Sequence, residues 1–456
     1  MTDVEAALRY VDDHAERFVE DWRDACRFAS YRGSPELPAM AAWVIERAGR
    51  VLDSVDAVPT PAGPPAIVGA LAGRGPGRLL IYSHYDVQPA DVADGWDVSP
   101  FAAEIRQGRL VARGCCDDKA DLVGRLHALE AWTRTVGPLP FSVVWLCEGA
   151  EESGSAGIAD VISAREELLR SCDWCLWESY LRRDDGRPEI GHGCRGLLYV
   201  ELALRRLRND QHSAFASIYR SAAADLVAAL SSLRDADGRV AIEGFHDSIA
   251  DETPLEQAAR QALEPPADDA GWNEATGFLV ADEEELARRL LYAPTANIAG
   301  LSAGYTGSGA KTVLPAEARA KVDFRLVPDQ TPERALELLR AHLDRHGFGD
   351  VEIEVLSAVP PARSPMDSAI ARAATAVAAR MFGDPVIYPW VTGSGPVHHF
   401  SGTLGIPTVM PPGATRLTSN IHGPNENAAV EDFLDVTRFT IGLLEELATA
   451  RSAGSV

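Results

Sequence analysis

Short apolar runs alternate with helix-periodic segments between residues 66 and 179 of the chain. Four runs, AIVGALAG, GRLLIYSHYD, PFSVVWLCEG and DWCLWES, have the length and apolar character of strands. Two segments with helical periodicity, DDKADLVGRLHALEAWTRT and SAGIADVISAREELLRS, separate the last three runs. Strands that alternate with helices predict an α/β layer with a largely parallel sheet.

The pattern changes after Gly196. LLYVELALRRLR alternates apolar and polar residues, the helical RSAAADLVAALSSL follows, and a later strand, ARAKVDFRLVP, precedes the helical PERALELLRAHLDRHGF. These segments predict a smaller antiparallel α+β module. The helix-periodic AIARAATAVAARMFG and VEDFLDVTRFTIGLLEELATA then restore the α/β pattern. A module inserted between two halves of one domain explains this order better than two consecutive domains.

A chain of 456 residues exceeds what one hydrophobic core usually supports, so we expect two domains. The patterning predicts an α/β domain formed by residues 1–195 and 358–456, interrupted by the α+β domain at residues 196–357. Residues 1–55 are expected to form two helices. Residues 245–290 are acidic and irregular, and we interpret them as a solvated surface with one helix.

Charge and cysteine usage exclude several classes of function. A formal net charge of −24 argues against a nucleic-acid surface, which needs clustered lysine and arginine. The sequence contains no run of 18 apolar residues, so no membrane-spanning helix is predicted. The charged N-terminus does not resemble a secretory signal. Seven cysteines, an odd number without a paired framework, predict a reducing compartment and therefore the cytoplasm. The CxxC of Cys172 and Cys175 is interpreted as two buried structural cysteines.

Side chains that suit metal ligation stand where predicted strands end and helices begin. In α/β sheets ligands collect at the carboxyl ends of strands, so we expect these side chains to meet. Histidine and carboxylates at short spacing suit a borderline or hard divalent cation. The candidates are His84 and Asp86 after GRLLIYSHYD, Asp117 and Asp118 before the following helix, Glu151 and Glu152 after PFSVVWLCEG, and Glu178 in DWCLWES.

Each cluster allows more than one interpretation. An HxD pair commonly places the histidine on a metal and the aspartate behind it, although the isolated spacing is typical of an ordinary strand-end histidine. Of Asp117 and Asp118, one can cap the helix while the other bridges metals. In EGAEESGS, Glu152 can ligate and Glu151 can accept a proton from a nearby water, against the alternative of a solvated acidic turn.

Two further motifs do not indicate a function when each is considered alone. GYTGSGAKT departs from the phosphate-loop spacing and TVLP follows it in place of a helix, so we reject nucleotide binding. His212 in HSAF reads as an ordinary surface histidine.

Several motifs, taken together and in order, resemble the M20 family of metallopeptidases. They are YSHYDVQPA, GWDVSPF, ARGCCDDK, EGAEESGS, GSGAKTVLP, FRLVP and NIHGPNEN. The chain is most similar to the branch of cytosolic nonspecific dipeptidases and carnosinases, and the resemblance covers most of its length. It implies a di-metal catalytic domain, residues 1–195 and 358–456, with an inserted lid or dimerisation domain, residues 196–357.

The resemblance implies a metal centre in which Asp117 bridges two divalent ions. His84 and Glu178 would hold one ion, and Glu152 and His422 the other. Zinc is the metal expected for a mixed set of histidine and carboxylate ligands, and manganese or cobalt would also suit it.

The same resemblance assigns the remaining positions of the site. Glu151 would be the general base and acid, and Asp86 would orient the ring of His84. His212 would enter the active site of the neighbouring subunit of a homodimer, formed through the lid, and stabilise the tetrahedral oxyanion. The substrate contacts would come from Arg325, which matches an arginine that binds the substrate carboxylate, and from Thr312 and Ser394.

The leading hypothesis is a cytoplasmic di-metal dipeptidase that cleaves an amide bond with a water held between the metals. Dipeptidase relatives carry aspartate where Glu178 stands, which favours an N-acyl amino acid amidohydrolase of the deacylase or desuccinylase type as the alternative. An amide hydrolase acting on a pathway intermediate stands beside it. DQHSAFAS lacks the usual glycines, and GSGP replaces GGSIP around Ser394. A hypothesis of another class is an inactive dimeric binding protein that keeps the fold.

Overall fold

The computed structural model describes residues 3–61, 63–264, 279–280 and 282–452. The chain divides into two compact units. Unit 1 comprises Met1–Gly193, Ser364–Pro389 and His399–Val456, and unit 2 comprises Cys194–Arg363 and Trp390–His398. Residues 390–398 therefore group with unit 2, although the predicted boundaries assigned them to the second part of the α/β domain. The roles of the two units as catalytic and lid domains stay a prediction.

Unit 1 contains a six-stranded sheet whose central strands run parallel. The strand Arg78–His84 pairs in parallel with Ser142–Glu148 on one side and with Trp174–Leu176 on the other. Nearly every residue of these strands is buried, as expected for parallel strands covered on both faces. The predicted, mostly parallel sheet is confirmed. From edge to edge the strands are Ser54–Val58, Ala66–Leu71, Ser142–Glu148, Arg78–His84, Trp174–Leu176 and Thr408–Val409.

The helix Lys119–Thr135 lies at the centre of the helical layers of unit 1. All residues from Lys119 to Leu129 are buried, including the charged Lys119, Asp121 and Arg125, because other helices and strands of unit 1 pack around this helix. It packs against Asp3–Asp13, Ala15–Cys26 and Val430–Ser452. None of the helices in the described part of the chain is long and apolar enough to cross a bilayer. The other described helices of unit 1 are Leu37–Ala48, Ile158–Ala164, Glu166–Arg170 and Ala369–Phe382.

Small ladders join distant parts of unit 1. The strand Asn427–Ala429 pairs with Arg109–Val111, which brings the C-terminal segment beside the residues that precede Asp117. This pairing joins residues that are more than 300 positions apart. The other ladders are Glu104–Arg106 with Arg109–Val111, Tyr180–Arg182 with Pro412–Arg416, and Glu189–Gly191 with Val386–Tyr388.

Unit 2 contains a four-stranded antiparallel sheet. Buried positions alternate along Gly196–Arg205, as expected for a sheet that packs on one face, and the pairing agrees with the predicted α+β module. Helices Ala222–Ser232 and Pro332–Arg345 contribute to the same core. The sheet order is Asn297–Ala303, Glu317–Leu326, Gly196–Arg205 and Glu352–Val359. The other described elements are the helices Pro254–Ala262 and Glu283–Tyr292, the paired strands Gln211–His212 and Val313–Leu314, and the strands Gly193–Cys194 and Ala362–Arg363.

Three predicted elements differ from the structure. The N-terminal region forms three helices rather than two, because only His14 separates the first two helices and their periodic patterns run together. SAGIADVISAREELLRS forms two short helices, because Arg165 between them has non-helical backbone angles. Between residues 245 and 290 two helices are described where one was expected. Residues 265–278 and 281 of that stretch lie outside the described residues.

Gly149→Ala is expected to destabilise unit 1. Gly149 follows the strand Ser142–Glu148, and a Cβ there would overlap the ring of Tyr85. That ring is fully buried, and its hydroxyl donates to the carbonyl of Pro65 at 2.6 Å. Overpacking of this kind lowers the free energy of unfolding by about 1–3 kcal/mol, measured by chemical denaturation. Gly402→Ala, which meets open space, is the control; equal stability of both variants would contradict the prediction.

Candidate metal centre

The carboxyl ends of three parallel strands bring histidine and glutamate side chains to one edge of the unit 1 sheet. His84 ends its strand, and Glu178 follows the strand Trp174–Leu176. Glu151 and Glu152 begin a short 3-10 turn after the strand Ser142–Glu148. Parallel neighbours end at the same edge of a sheet, so these residues are neighbours although they are far apart in sequence.

Two groups of candidate ligands share Asp117. The first group is His84, Asp117 and Glu178, and the second is Asp117, Glu152 and His422; within each group the ligand atoms lie within 4.8 Å of one another. His84 Nε2 lies 3.0 Å from Asp117 Oδ1, and His422 Nε2 lies 3.2 Å from Asp117 Oδ2. The two oxygens of Asp117 therefore face different histidines, which is the arrangement that a bridging carboxylate requires.

The donor set of these groups fits divalent cations. Glu178 Oε1 is buried and has no hydrogen-bond partner among the described residues. A buried carboxylate oxygen without a partner is costly, and a cation beside it would remove that cost. One histidine and two carboxylates in each group suit zinc, manganese or cobalt.

Crowded charges shift the pKa values of the centre in the metal-free chain. Burial raises the pKa of Glu151 to about 8, and the nearby carboxylates of Asp117 and Glu152 act in the same direction. Burial also raises the pKa of Glu178 well above its usual range. Hydrogen bonds to Asp117 and Glu152 raise the pKa of His422 to about 10. The centre thus holds more negative charge than its own side chains neutralise.

Asp86 supports the turn that carries the two adjacent glutamates. Its carboxylate accepts hydrogen bonds from the backbone N–H groups of Glu151 and Glu152, each at 3.1 Å. His84 Nδ1 lies 3.5 Å from Asp86 Oδ1 and 3.1 Å from the Asp86 carbonyl oxygen. Asp86 therefore contacts both the ring of His84 and the glutamate turn. Gln88, which the sequence did not single out, donates to Glu152 Oε2 at 2.9 Å.

Asp118 and Asp117 have different partners. Asp118 occupies the N-cap position of the helix Lys119–Thr135, but its side chain makes no capping hydrogen bond. Its Oδ2 instead accepts from the backbone N–H of His84 at 3.1 Å. The expectation that one of the pair caps the helix with its side chain is therefore wrong, because the strand end offers a buried N–H donor to the same carboxylate.

A buried Arg113–Glu426 ion pair connects two loops of the centre, and the sequence did not single out either residue. The pair has an N–O distance of 2.7 Å, and Arg113 also donates to the carbonyl of His422 at 2.9 Å. Glu426 further accepts from the backbone N–H groups of Gly114 and Cys116, each at 3.0 Å. Cys115, Cys116 and Glu426 form a third possible ligand group, but these donors already occupy the Glu426 carboxylate. The sequence signals for this pair are the arginine of ARGCCDDK and the acid four residues after His422 in NIHGPNEN.

The four remaining candidates lie in unit 2 and form two pairs. Arg325 Nη1 donates to Ser394 Oγ at 2.9 Å. His212 precedes Ser213, whose backbone N–H donates to the carbonyl of Thr312 at 3.3 Å. The imidazole of His212 is exposed and accepts from the N–H of Ala214 at 3.0 Å. Arg325 with Ser394, and His212 with Thr312, are thus neighbours within this unit.

Comparison with known proteins connects these residues to a family. The model of Peptidase family M20/M25/M40 matches residues 80–446, a range that contains both ligand groups. The Cys-Gly metallodipeptidase dug1 of Schizosaccharomyces pombe is 32% identical over 291 residues, which are 62% of this chain and 60% of that protein. The human Beta-Ala-His dipeptidase is 28% identical over 362 residues, which are 75% of this chain and 71% of that protein.

Solved structures share the fold over nearly the whole chain. The M20 family metallo-carboxypeptidase Sso-CP2 of Sulfolobus solfataricus superposes with a TM-score of 0.88 and 33% identity, covering 95% of this chain and 99% of that one. The dipeptidase Dug1p of Saccharomyces cerevisiae gives a TM-score of 0.84 at 23% identity, covering 98% and 99%. On the match to the family model and the identity with the Sulfolobus enzyme, the chain belongs to the M20/M25/M40 peptidase family.

Proposed function

We propose that this chain is a metal-dependent hydrolase that cleaves the amide bond of dipeptides or similar small peptides. The observation that carries the proposal is the pair of ligand groups joined through Asp117. The similarity to a Cys-Gly metallodipeptidase and a Beta-Ala-His dipeptidase supports the substrate class. The chain matches only 60% of the length of the fission yeast relative. The proposed activity and substrate therefore rest on the geometry of the site as well as on that similarity.

Five residues would hold two divalent cations. His84 and Glu178 would hold one, Glu152 and His422 the other, and Asp117 would contact both. Zinc is the proposed metal, and manganese or cobalt would suit the same ligands. The chemistry that two bound cations supply is polarisation of the scissile carbonyl and a lower pKa for the attacking water.

Glu151 would accept the proton of the attacking water and deliver it to the leaving amine. It stands beside the ligand Glu152 on a turn whose N–H groups are held by Asp86. Its raised pKa in the metal-free chain reflects burial and surrounding carboxylates, and bound cations would lower it toward the working pH of a general base. Asp86 would fix the position of the turn and the ring of His84.

Unit 2 would recognise the substrate. Arg325 would bind the substrate carboxylate, because its planar guanidinium matches a carboxylate in a two-point contact, and Ser394 already lies on it at 2.9 Å. Thr312 would also contact the substrate. His212 would stabilise the oxyanion in the neighbouring subunit of a homodimer formed through this unit. A cytoplasmic location is proposed from the seven cysteines, all of which are buried and none of which forms a disulfide.

Two other substrate classes have an observation in their favour. Glu178 stands where the resemblance to dipeptidases implies an aspartate, and this difference favours N-acyl amino acids. The fold similarity to a metallo-carboxypeptidase, with a TM-score of 0.88, favours longer peptides cleaved at the C-terminus. All three classes present a carboxylate next to the scissile amide, so one centre could serve each of them.

A substrate panel separates these classes. Purified protein supplied with zinc, manganese or cobalt would be assayed on Cys-Gly, β-Ala-His, N-blocked tripeptides, and N-acetyl and N-succinyl amino acids. Turnover of free dipeptides above the other substrates supports the proposal. Turnover of acylated amino acids alone, or of N-blocked tripeptides alone, would replace it with one of the alternatives. Absence of bound metal would favour the inactive binding protein.

Glu151→Gln is expected to lower kcat by roughly 10²–10⁴-fold, because the amide cannot accept the proton of the attacking water. Metal content, measured by plasma mass spectrometry, should not change, since Glu151 belongs to neither ligand group. Glu167→Gln, an exposed glutamate on the helix Glu166–Arg170, is the control and should keep full activity. Full activity of the Glu151 variant would rule out its role in proton transfer.

Metal is expected to stabilise the protein more at pH 8 than at pH 6. Burial raises the pKa of Glu151 to about 8 in the metal-free chain, above the value of an exposed glutamate. The folded metal-free chain therefore binds more protons than the unfolded chain, and its free energy of unfolding falls as pH rises through this interval. Bound cations compensate the carboxylates and remove that loss. Melting temperatures with zinc and with a chelator would test this, and an equal gain at both pH values would contradict it.

Arg325→Ala is expected to raise KM for free dipeptides, because a charge-assisted hydrogen bond worth about 1.5–3 kcal/mol is lost. Dipeptide amides, which lack the carboxylate, should be affected much less. Arg319→Ala on the same strand is the matched control. If Arg325→Ala raised KM equally for free dipeptides and for dipeptide amides, Arg325 would not be the residue that binds the substrate carboxylate.

A further inference from the structure

The strands that carry His84 and Glu178 separate before they reach these residues. Their parallel ladder runs from Leu79 opposite Trp174 to Ile81 opposite Leu176 and ends there. Beyond that point the backbone hydrogen bonds of the sheet do not fix the distance between the two strand ends. Another set of contacts must hold them, since both ends are buried and their carbonyl groups need donors.

Arg125 supplies those donors. Its Nη1 donates to the carbonyl of Tyr82 at 2.7 Å, and its Nη2 donates to the carbonyl of Trp177 at 2.5 Å. These are the first residues after the ladder on each strand, and their aromatic rings stack with centroids 3.7 Å apart. The planar guanidinium of Arg125 thus connects the two strand ends beyond the ladder. The side chain of Arg125 is only 1% exposed.

Asp121 holds the other side of Glu178. It pairs with Arg125 at 2.8 Å, one helical turn away on the helix Lys119–Thr135. Its Oδ2 accepts from the backbone N–H of Ser179 at 2.5 Å, and its Oδ1 accepts from the Ser179 hydroxyl at 2.7 Å. The backbone is therefore bound on both sides of Glu178, at the carbonyl before it and at the N–H after it.

We infer that the buried Asp121–Arg125 ion pair is a positioning device for Glu178. By fixing the strand end on both sides of Glu178, the pair sets the affinity of the metal site that Glu178 would share with His84 and Asp117. The helix that carries the pair begins directly after Asp117 and Asp118, so one rigid element connects three ligands of that site. The second ligand group depends on Gln88 and on the Arg113–Glu426 pair instead.

This inference rests on the proposed metal centre. It predicts that substitutions in the ion pair lower the metal affinity of one site and not of the other. Changing the Asp121–Arg125 pair should weaken the site of His84 and Glu178 and spare the site of Glu152 and His422. A general loss of folding stability has no reason to discriminate between the two sites.

Arg125→Lys tests the inference. Lysine presents one compact ammonium and cannot bridge two carbonyls and a carboxylate as the guanidinium fork does. Zinc affinities would be measured by competition with a chromophoric chelator, and the geometry of the ligands by the visible absorption of the cobalt-substituted protein. One of the two zinc affinities should fall by roughly 10–100-fold, the range found when groups that orient metal ligands are changed. The other affinity should keep its wild-type value, and part of the cobalt spectrum should change.

Arg47→Lys is the matched control. Arg47 also forms a mostly buried pair with an aspartate of a neighbouring helix, Asp21, at 2.6 Å, but it contacts none of the candidate ligands. It should lose thermal stability and keep both zinc affinities. Ser179→Ala serves as a milder second variant, since it removes only the hydroxyl that donates to Asp121. It should weaken the same site as Arg125→Lys by a smaller factor, and it decides the question if Arg125→Lys does not fold.

Unchanged affinities in folded Arg125→Lys and in Ser179→Ala would overturn the inference. So would an equal fall in both affinities that parallels the loss of stability in Arg47→Lys. The wild-type titration separates this result from failure of the proposed function: a wild-type chain that binds no zinc or cobalt refutes the metal centre itself, whereas two wild-type sites that ignore the substitutions refute only the role of the ion pair.

Discussion

The parallel alignment of three neighbouring strands is the constraint on which the rest of unit 1 depends. Ser142–Glu148, Arg78–His84 and Trp174–Leu176 run in one direction, so the residues that follow them emerge at one edge of the sheet. The helix Lys119–Thr135 returns the chain between two of these strands, which places its N-terminus at that edge. Asp117, just before this helix, therefore lies beside His84, although the strands Glu104–Arg106 and Arg109–Val111 come between them in sequence.

The carboxylates gathered at this edge of the sheet differ in whether the protein itself supplies their hydrogen-bond donors. Asp86, Asp118 and Glu426 each accept backbone N–H groups, so each has hydrogen-bond donors within the chain. Asp117 faces two imidazoles instead, and Glu178 has a buried oxygen that finds no hydrogen-bond partner in the described part of the chain. Counting donors thus distinguishes Asp117 and Glu178 from Asp86, Asp118 and Glu426, and so separates the adjacent Asp117 and Asp118. It does not single out Glu152, which accepts from Gln88 although it belongs to the second ligand group.

Periodicity and strand ends predicted the mostly parallel sheet and brought His84, Glu151 and Glu178 to one place. They could not separate Asp117 from Asp118, because the choice depends on which carboxylate the N–H of His84 reaches. His422 entered only through the family resemblance, since no local pattern connects it to residues 300 positions earlier. The Asp121–Arg125 pair was visible in the sequence as two opposite charges four residues apart in a predicted helix, but its partners at Tyr82, Trp177 and Ser179 follow from packing alone.

The segment that supplies His422 shows why the centre needs support before any cation binds. Asn420, His422 and Asn425 all have positive φ angles, of 54°, 62° and 59°, which cost free energy in residues other than glycine. Arg113 holds the carbonyl of His422, and the ladder of Asn427–Ala429 with Arg109–Val111 anchors the chain directly after it. A strained loop persists only where its surroundings determine it, and here the anchors lie on the same segment that leads to Asp117. The loop that completes the second ligand group is thus held in place by the segment that carries the shared ligand, which explains how residues so distant in sequence form one preorganised centre.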